Sequence, residues 1–191
     1  SWSNPGIEIE TNLSPFLNFL EIFASSGVKK VVFISSAGTI YGPSANKIKE
    51  DADKRPFSPH GIIKFSMENF LEYYRRKCGL NYDIFRVSNV FGEGQNTAKG
   101  LGLINIFIED IIRQGSVNVF GDGSNLRNYI YVKDVSRLLS LSLNADKSVS
   151  NIWNLASMDS FTINQVIERM KVLLPVDFTF NYLHARSSDN T

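Results

Sequence analysis

Val31-Val32-Phe33-Ile34-Ser35-Ser36-Ala37-Gly38-Thr39-Ile40-Tyr41-Gly42 joins a short apolar run to a row of small, hydroxyl-bearing residues. Val31–Ile34 is rich in β-branched residues, too short for a helix and apolar on both faces. That is the pattern of a parallel strand covered by helices. Hydroxyls just beyond the carboxyl end of such a strand stand where open α/β sheets bind ligands.

Working outward, residues 7–26 repeat apolar side chains at helical spacing (Ile7, Leu13, Phe16, Leu17, Leu20, Phe23), and Gly27 supplies the stop. Residues 35–57 read as loop. Pro59 then opens a periodic segment over 61–77 that ends at Gly79, and Tyr82–Val87 reads as the next strand. This alternation predicts an α/β layered fold. Past residue 88 the pattern loosens. A glycine-rich loop leads to a helix over 103–114, and 117–120 and 129–132 read as short strands around a turn-rich stretch. A helix from Asp134 to about 145, a strand over 152–155, a helix capped by Thr162 and a strand over 178–180 complete the pattern.

Length and composition narrow the function classes. The 191 residues are 43% hydrophobic and 20% charged, enough for a buried core, and the formal net charge of +1 gives no broad basic footprint for nucleic acid. One cysteine excludes an internal disulfide framework and any cysteine-rich zinc site, and the two histidines stand far apart, so no metal site is expected. No run is long and apolar enough to span a membrane, so no membrane partner is expected. The low cysteine usage suits a reducing compartment, and a cytoplasmic location is the expectation.

His60 and Lys64 lie four apart at the start of the 61–77 helix and share a face if the helix includes both. Two readings stay open from spacing alone. The serines cap a turn while His60 and Lys64 are ordinary solvated residues, or the hydroxyls, imidazole and amine form a site.

Four blocks in order carry a resemblance: Val31–Gly42, Ser58–Asn69, Arg86-Val87-Ser88-Asn89-Val90-Phe91-Gly92, and Val119–Val135 with its Gly121-Asp122-Gly123. Together they resemble the extended short-chain dehydrogenase/reductase family and, within it, the NAD-dependent nucleotide-sugar epimerases of the UDP-glucose 4-epimerase type. The resemblance implies a Rossmann-like parallel sheet, incomplete because its first half is missing, with a smaller mixed α/β substrate-binding part. Residues 1–90 would be the latter part of the NAD-binding domain with the catalytic segment. Residues 91–191 would be mostly the substrate-binding part, with segments returning to the main sheet. It also implies a homodimer through the helices at 7–26 and 61–77, and polysaccharide-precursor synthesis as context.

In that family a tyrosine and a lysine four residues later work with a Ser or Thr at the strand end. The tyrosine takes the proton of a sugar hydroxyl while hydride passes to the nicotinamide, and the lysine lowers the phenol's pKa, ordinarily ~10. Here Lys64 matches the lysine, Thr39 and Ser36 are the candidate hydroxyls, and His60 stands where the tyrosine belongs. Ala37 replaces a usual serine. Tyr41 belongs to the family's Tyr-Gly pair and is at most a distant substitute. An imidazole accepts protons near neutral pH without an adjacent cation, though its nitrogens lie closer to the backbone than a phenol oxygen. By the same resemblance Asn12, Ser35, Lys64, Val87 and Val90 would meet the NAD cofactor. Asn89, Leu103, Val119, Phe120, Arg127 and Arg186 would meet the nucleotide-sugar substrate, the arginines pairing with its diphosphate.

The Gly-x-Gly-x-x-Gly fingerprint that holds a dinucleotide pyrophosphate is absent. Gly100-Leu101-Gly102 lacks the third glycine and follows a loop. The chain is therefore expected to be the latter portion of a longer protein. A nucleotide-sugar dehydratase is disfavoured, because Ile40-Tyr41 follows Thr39 where dehydratases place Asp-Glu. A nucleotide-sugar reductase stays open, and so does a catalytically inactive module that binds nucleotide sugar or NAD. His60 and Ala37 are the residues that favour the module.

Overall fold

The computed structural model describes residues 4–42 and 47–185, apart from the side chain of Lys99. The chain divides into two compact units, Ser1–Ser88 with Val135–Leu155, and Asn89–Asp134 with Ala156–Thr191.

The first unit opens with a helical run: α1 (Pro5–Glu8), a π-helical turn (Ile9–Leu13) and α2 (Ser14–Ser25). Asn4 caps the run by accepting from the Gly6 and Ile7 amides. Strand β1 (Lys30–Ser36) leads into a short helix, α3 (Ala37–Ile40), inside the stretch expected to be loop. Helix α4 (Pro59–Cys78) and β2 (Asn81–Val87) follow. Ser58 caps α4 through the Gly61 amide at 3.1 Å. Gly79 ends it at φ 74°, a left-handed conformation that strains any residue with a Cβ.

Strand β2 is the middle of a parallel sheet, with β1 on one side and the later strand Asn151–Leu155 on the other. Ser36, Val87 and Leu155 are in register at its carboxyl end. Leu20 of α2 packs with Leu71 and Tyr74 of α4 and with Tyr82 and Ile84 of β2. Enclosing each aliphatic chain contributes roughly 1.5–3 kcal/mol, which fixes α2 and α4 to the sheet. Not every apolar residue of the first helical run faces inward: Ile7 and Ile22 are exposed.

Two charged residues lie within β2. Asp83 pairs with Lys30 at 2.7 Å and accepts from Ser142 and Asn151. Arg86 pairs with Glu68 of α4. A buried charge persists only when so partnered.

The second unit contains β3 (Asn89–Phe91), α5 (Leu103–Gln114), β4 (Ser116–Phe120) and β5 (Leu126–Tyr131). Helix α6 (Val132–Asn144) and β6 (Asn151–Leu155), the third strand of the parallel sheet, belong mostly or wholly to the first unit. The chain then adds β7 (Ser160–Thr162), α7 (Ile163–Leu173) and β8 (Thr179–Leu183). Strand β5 lies parallel to β3 and antiparallel to β7, and β4 lies parallel to β8. Strand β5 starts at Leu126, inside the stretch expected to be turn, and Val132 opens α6 instead of closing a strand. Thr162 and Gln165 form a reciprocal capping box at α7. Phe107, Ile111, Val117, Val119, Ile167 and Met170 fill this unit's core.

Candidate active site

The row of hydroxyls ends β1 and turns into α3. Ser36 stands at the N-cap of α3 without a side-chain capping bond, and the hydroxyls of Ser35 and Thr39 are buried with no hydrogen-bond partner among the described residues. A buried hydroxyl left unpaired costs roughly 1–3 kcal/mol, so these two oxygens are spare polar capacity at the carboxyl edge of the sheet.

Gly61 brings the start of α4 against α3. A Cβ there would lie 2.3 Å from the Thr39 carbonyl oxygen, closer than any side chain permits. The glycine thus sets His60 and Lys64, on its two sides, next to the turn that carries Thr39. Lys64 reaches back to β1. Its Nζ donates to the Ile34 carbonyl at 2.9 Å and lies 4.9 Å from the centre of the Phe33 ring. Burial lowers the Lys64 pKa from the ordinary lysine value, and the negative charge of Glu68 partly opposes that.

His60 is 43% exposed in its side chain, and its Nδ1 lies 3.8 Å from Oε2 of Glu8. Asn12, in the π-helical turn, donates to the same Oε2 at 3.0 Å. Asn12 and His60 therefore share one carboxylate, a relation the spacing of the sequence does not disclose.

Lys64 and Glu68 are one helical turn apart, and Glu68 is gripped by Arg86 through Nη2 at 2.7 Å and Nε at 3.1 Å. Arg86 also donates to the Tyr41 hydroxyl at 2.5 Å and to the Glu50 carbonyl, while Tyr41 donates to Asn154 Oδ1 at 2.8 Å. The hydroxyl of Tyr41 is thus engaged on both sides, which makes it a structural group. The network ties α4, β2 and β6 together beneath the hydroxyl turn. The sequence signals were two charged residues in a largely apolar strand and a glutamate four after Lys64.

Val87 is buried in β2, its backbone in register with Ser36. In the second unit, Asn89 begins β3 and donates to the Asn128 carbonyl at 2.8 Å, and Val90 pairs with Ile130. Arg127 is exposed on β5, and Leu103 starts α5 half-buried against the core. Val119 is enclosed in that core and Phe120 is half-buried beside it in β4. Arg186 lies outside the described residues. Among the described residues, no cluster of three His, Cys, Asp or Glu could hold a metal ion, and no helix is long and apolar enough to cross a membrane.

Residues 1–156 match the NAD dependent epimerase/dehydratase family. The chain is similar to the crystal structure of UDP-glucose 4-epimerase with UDP-glucose from Thermotoga maritima. Identity is 34% and the TM-score 0.91, covering 99% of this chain and 61% of the other. It is also similar to UDP-N-acetylglucosamine 4-epimerase from Methanobrevibacter ruminantium M1 in complex with UDP-N-acetylmuramic acid, at 31% identity and a TM-score of 0.92, with coverage of 99% and 61%. UDP-glucose 4-epimerase of Mycolicibacterium smegmatis is 33% identical over 136 residues, 71% of this chain and 44% of the relative. The chain spans about half the length of the curated relatives it matches. With a parallel α/β sheet whose carboxyl edge carries the hydroxyl turn and is met by Lys64 of α4, this chain belongs to the NAD dependent epimerase/dehydratase family.

Proposed function

We propose that this chain carries the proton-transfer site and the sugar-binding part of an NAD-dependent nucleotide-sugar epimerase, its substrate a UDP-sugar and His60 its acid/base. One observation supports it above the rest: Gly61 draws the partnerless Thr39 hydroxyl and the Lys64 amine to one turn, with His60 beside them.

The residues present suit the nicotinamide end of the cofactor. The buried oxygens of Ser35 and Thr39 lack partners among the described residues, and Lys64 has two N–H donors beyond the one spent on Ile34. Asn12, Val87 and Val90 complete the proposed cofactor set. The glycine fingerprint for a pyrophosphate is not among these residues. NAD, when bound, supplies a reversible hydride acceptor. His60 accepts the proton of a sugar hydroxyl at a ring nitrogen and later returns it. The Thr39 hydroxyl donates a hydrogen bond to the substrate oxygen, with Ser36 as the second candidate, and Lys64 favours negative charge developing nearby. Asn89, Leu103, Val119, Phe120, Arg127 and Arg186 form the proposed substrate set, Val119 through its backbone because its side chain is enclosed. The exposed Phe19 and Ile22 of α2 and Ile62 and Tyr73 of α4 support a homodimer through those helices.

A second reading, an inactive nucleotide-sugar or NAD binder, is favoured by His60 itself. The intact gene product, incubated with NAD and UDP-glucose or UDP-N-acetylglucosamine, should yield the C4 epimer by NMR. Binding of sugar nucleotide with neither product nor NADH absorbance would replace the enzyme by the binder.

A further inference from the structure

We propose that Glu8 is the positioning residue of His60, holding the imidazole so that Nδ1 carries the proton and Nε2 presents its lone pair. This rests on the reading of His60 as acid/base. The Glu8 carboxylate lies 3.8 Å from His60 Nδ1, and its side chain is only 13% exposed. Asn12 Nδ2 donates to that same oxygen, Oε2, at 3.0 Å, so the carboxylate is held by a second contact. A sheltered carboxylate with one neutral donor still has lone pairs to satisfy, and His60 Nδ1, at 3.8 Å, needs only a small side-chain shift to bond it. Which nitrogen of a histidine bears the proton follows from the bond the other nitrogen makes.

The backbone brings Glu8 to this place by an uncommon device. In an unbroken α-helix, twelve residues at about 100° each would set Glu8 about 120° away from Leu20, the residue of α2 packed against α4. The π turn, closed by the Ser14 amide on the Ile9 carbonyl, takes up one extra residue. It brings Glu8 back to within about 20° of Leu20 and so to the side of α4, where His60 stands. Asn12 lies inside that same turn.

A neutral base held this way takes the hydroxyl proton at Nε2 and becomes imidazolium, whose positive charge the Glu8 carboxylate then stabilises. No tyrosine would need the carboxylate. The pairing accounts for how this chain could work with imidazole in the position where the family resemblance expects a phenol.

The imidazole nitrogens of His60 can be read by 15N NMR of histidine-labelled gene product, its resonances assigned by their loss in His60→Gln. The neutral side chain should show Nδ1–H in the native protein and shift toward Nε2–H in Glu8→Ala. In turnover, Glu8→Ala should lose about tenfold in kcat with KM changed less than about twofold. Glu8→Gln, which keeps an acceptor oxygen, should retain the Nδ1–H form. No residue of α1 is buried, so these variants should fold. An unchanged tautomer in Glu8→Ala overturns the proposal. A changed tautomer in a protein that turns over no sugar nucleotide upholds the positioning and removes the acid/base reading instead.

Discussion

Gly61 lies so near Thr39 that a single added carbon would sit 2.3 Å from the Thr39 carbonyl oxygen. The contact is backbone against backbone, so no side chain can move aside to admit it. Gly61→Ala should destabilise the protein by about 1–3 kcal/mol and impair turnover, because the start of α4 must retreat from the hydroxyl turn. Urea unfolding measures the first effect. An unchanged midpoint would mean that α3 yields freely and does not define the site.

Thr39 gives the complementary test. Its hydroxyl is buried without a partner among the described residues, so Thr39→Val, of the same shape, should leave stability within about 1 kcal/mol or raise it. Turnover should fall about tenfold or more if the hydroxyl serves the substrate. Loss of stability with activity intact would assign Thr39 to the fold.

Arg86 and Glu68 are 2% and 4% exposed in their side chains and share two nitrogens across the pair. Arg86→Met alone should cost about 3–5 kcal/mol, since it strands the carboxylate. Adding Glu68→Leu should recover part of that loss in a double-mutant cycle. Strict additivity would contradict a coupled pair.

Part of the acid sensitivity should trace to Glu72. Hydrogen bonds from Arg75, then Arg76, hold its carboxyl down at about 2, against an ordinary value of 4.5. A depressed carboxylate stabilises the folded state fully above its unfolded pKa. That contribution fades as pH falls from about 4.5 to about 2. Glu72→Gln should flatten the pH dependence of the unfolding midpoint in that window, less so at high salt. The same slope in both proteins would assign the acid sensitivity elsewhere.

Much of the α/β frame was legible because its signals are local. Helix α4 announces itself by Ser58-Pro59 at one end and Gly79 at the other, and β1 by its β-branched run. Strands β3 and β7 are three residues each and exist through pairing with β5, which no local pattern records. Within the site, the hydroxyl turn and Lys64 stood out by motif order. Glu8 did not, since its partner is 52 positions away and the π turn that delivers it leaves the apolar spacing of 7–26 readable as one helix. The pairing of Glu68 with Arg86 showed in the sequence only as a charge within an apolar strand and a glutamate four after Lys64, because the contact itself joins two elements.

We place His60 at the proton-transfer position beside Thr39 and Lys64. This placement is tested most directly by assaying His60→Tyr in the intact gene product with a UDP-sugar and NAD, following the C4 epimer by NMR. The tyrosine variant should gain epimerase activity or keep it, because the surrounding hydroxyl and amine already suit a phenol. Abolished turnover in His60→Tyr, with the native protein active and the variant still folded and binding sugar nucleotide, would contradict that equivalence of position and leave imidazole chemistry in a geometry of its own.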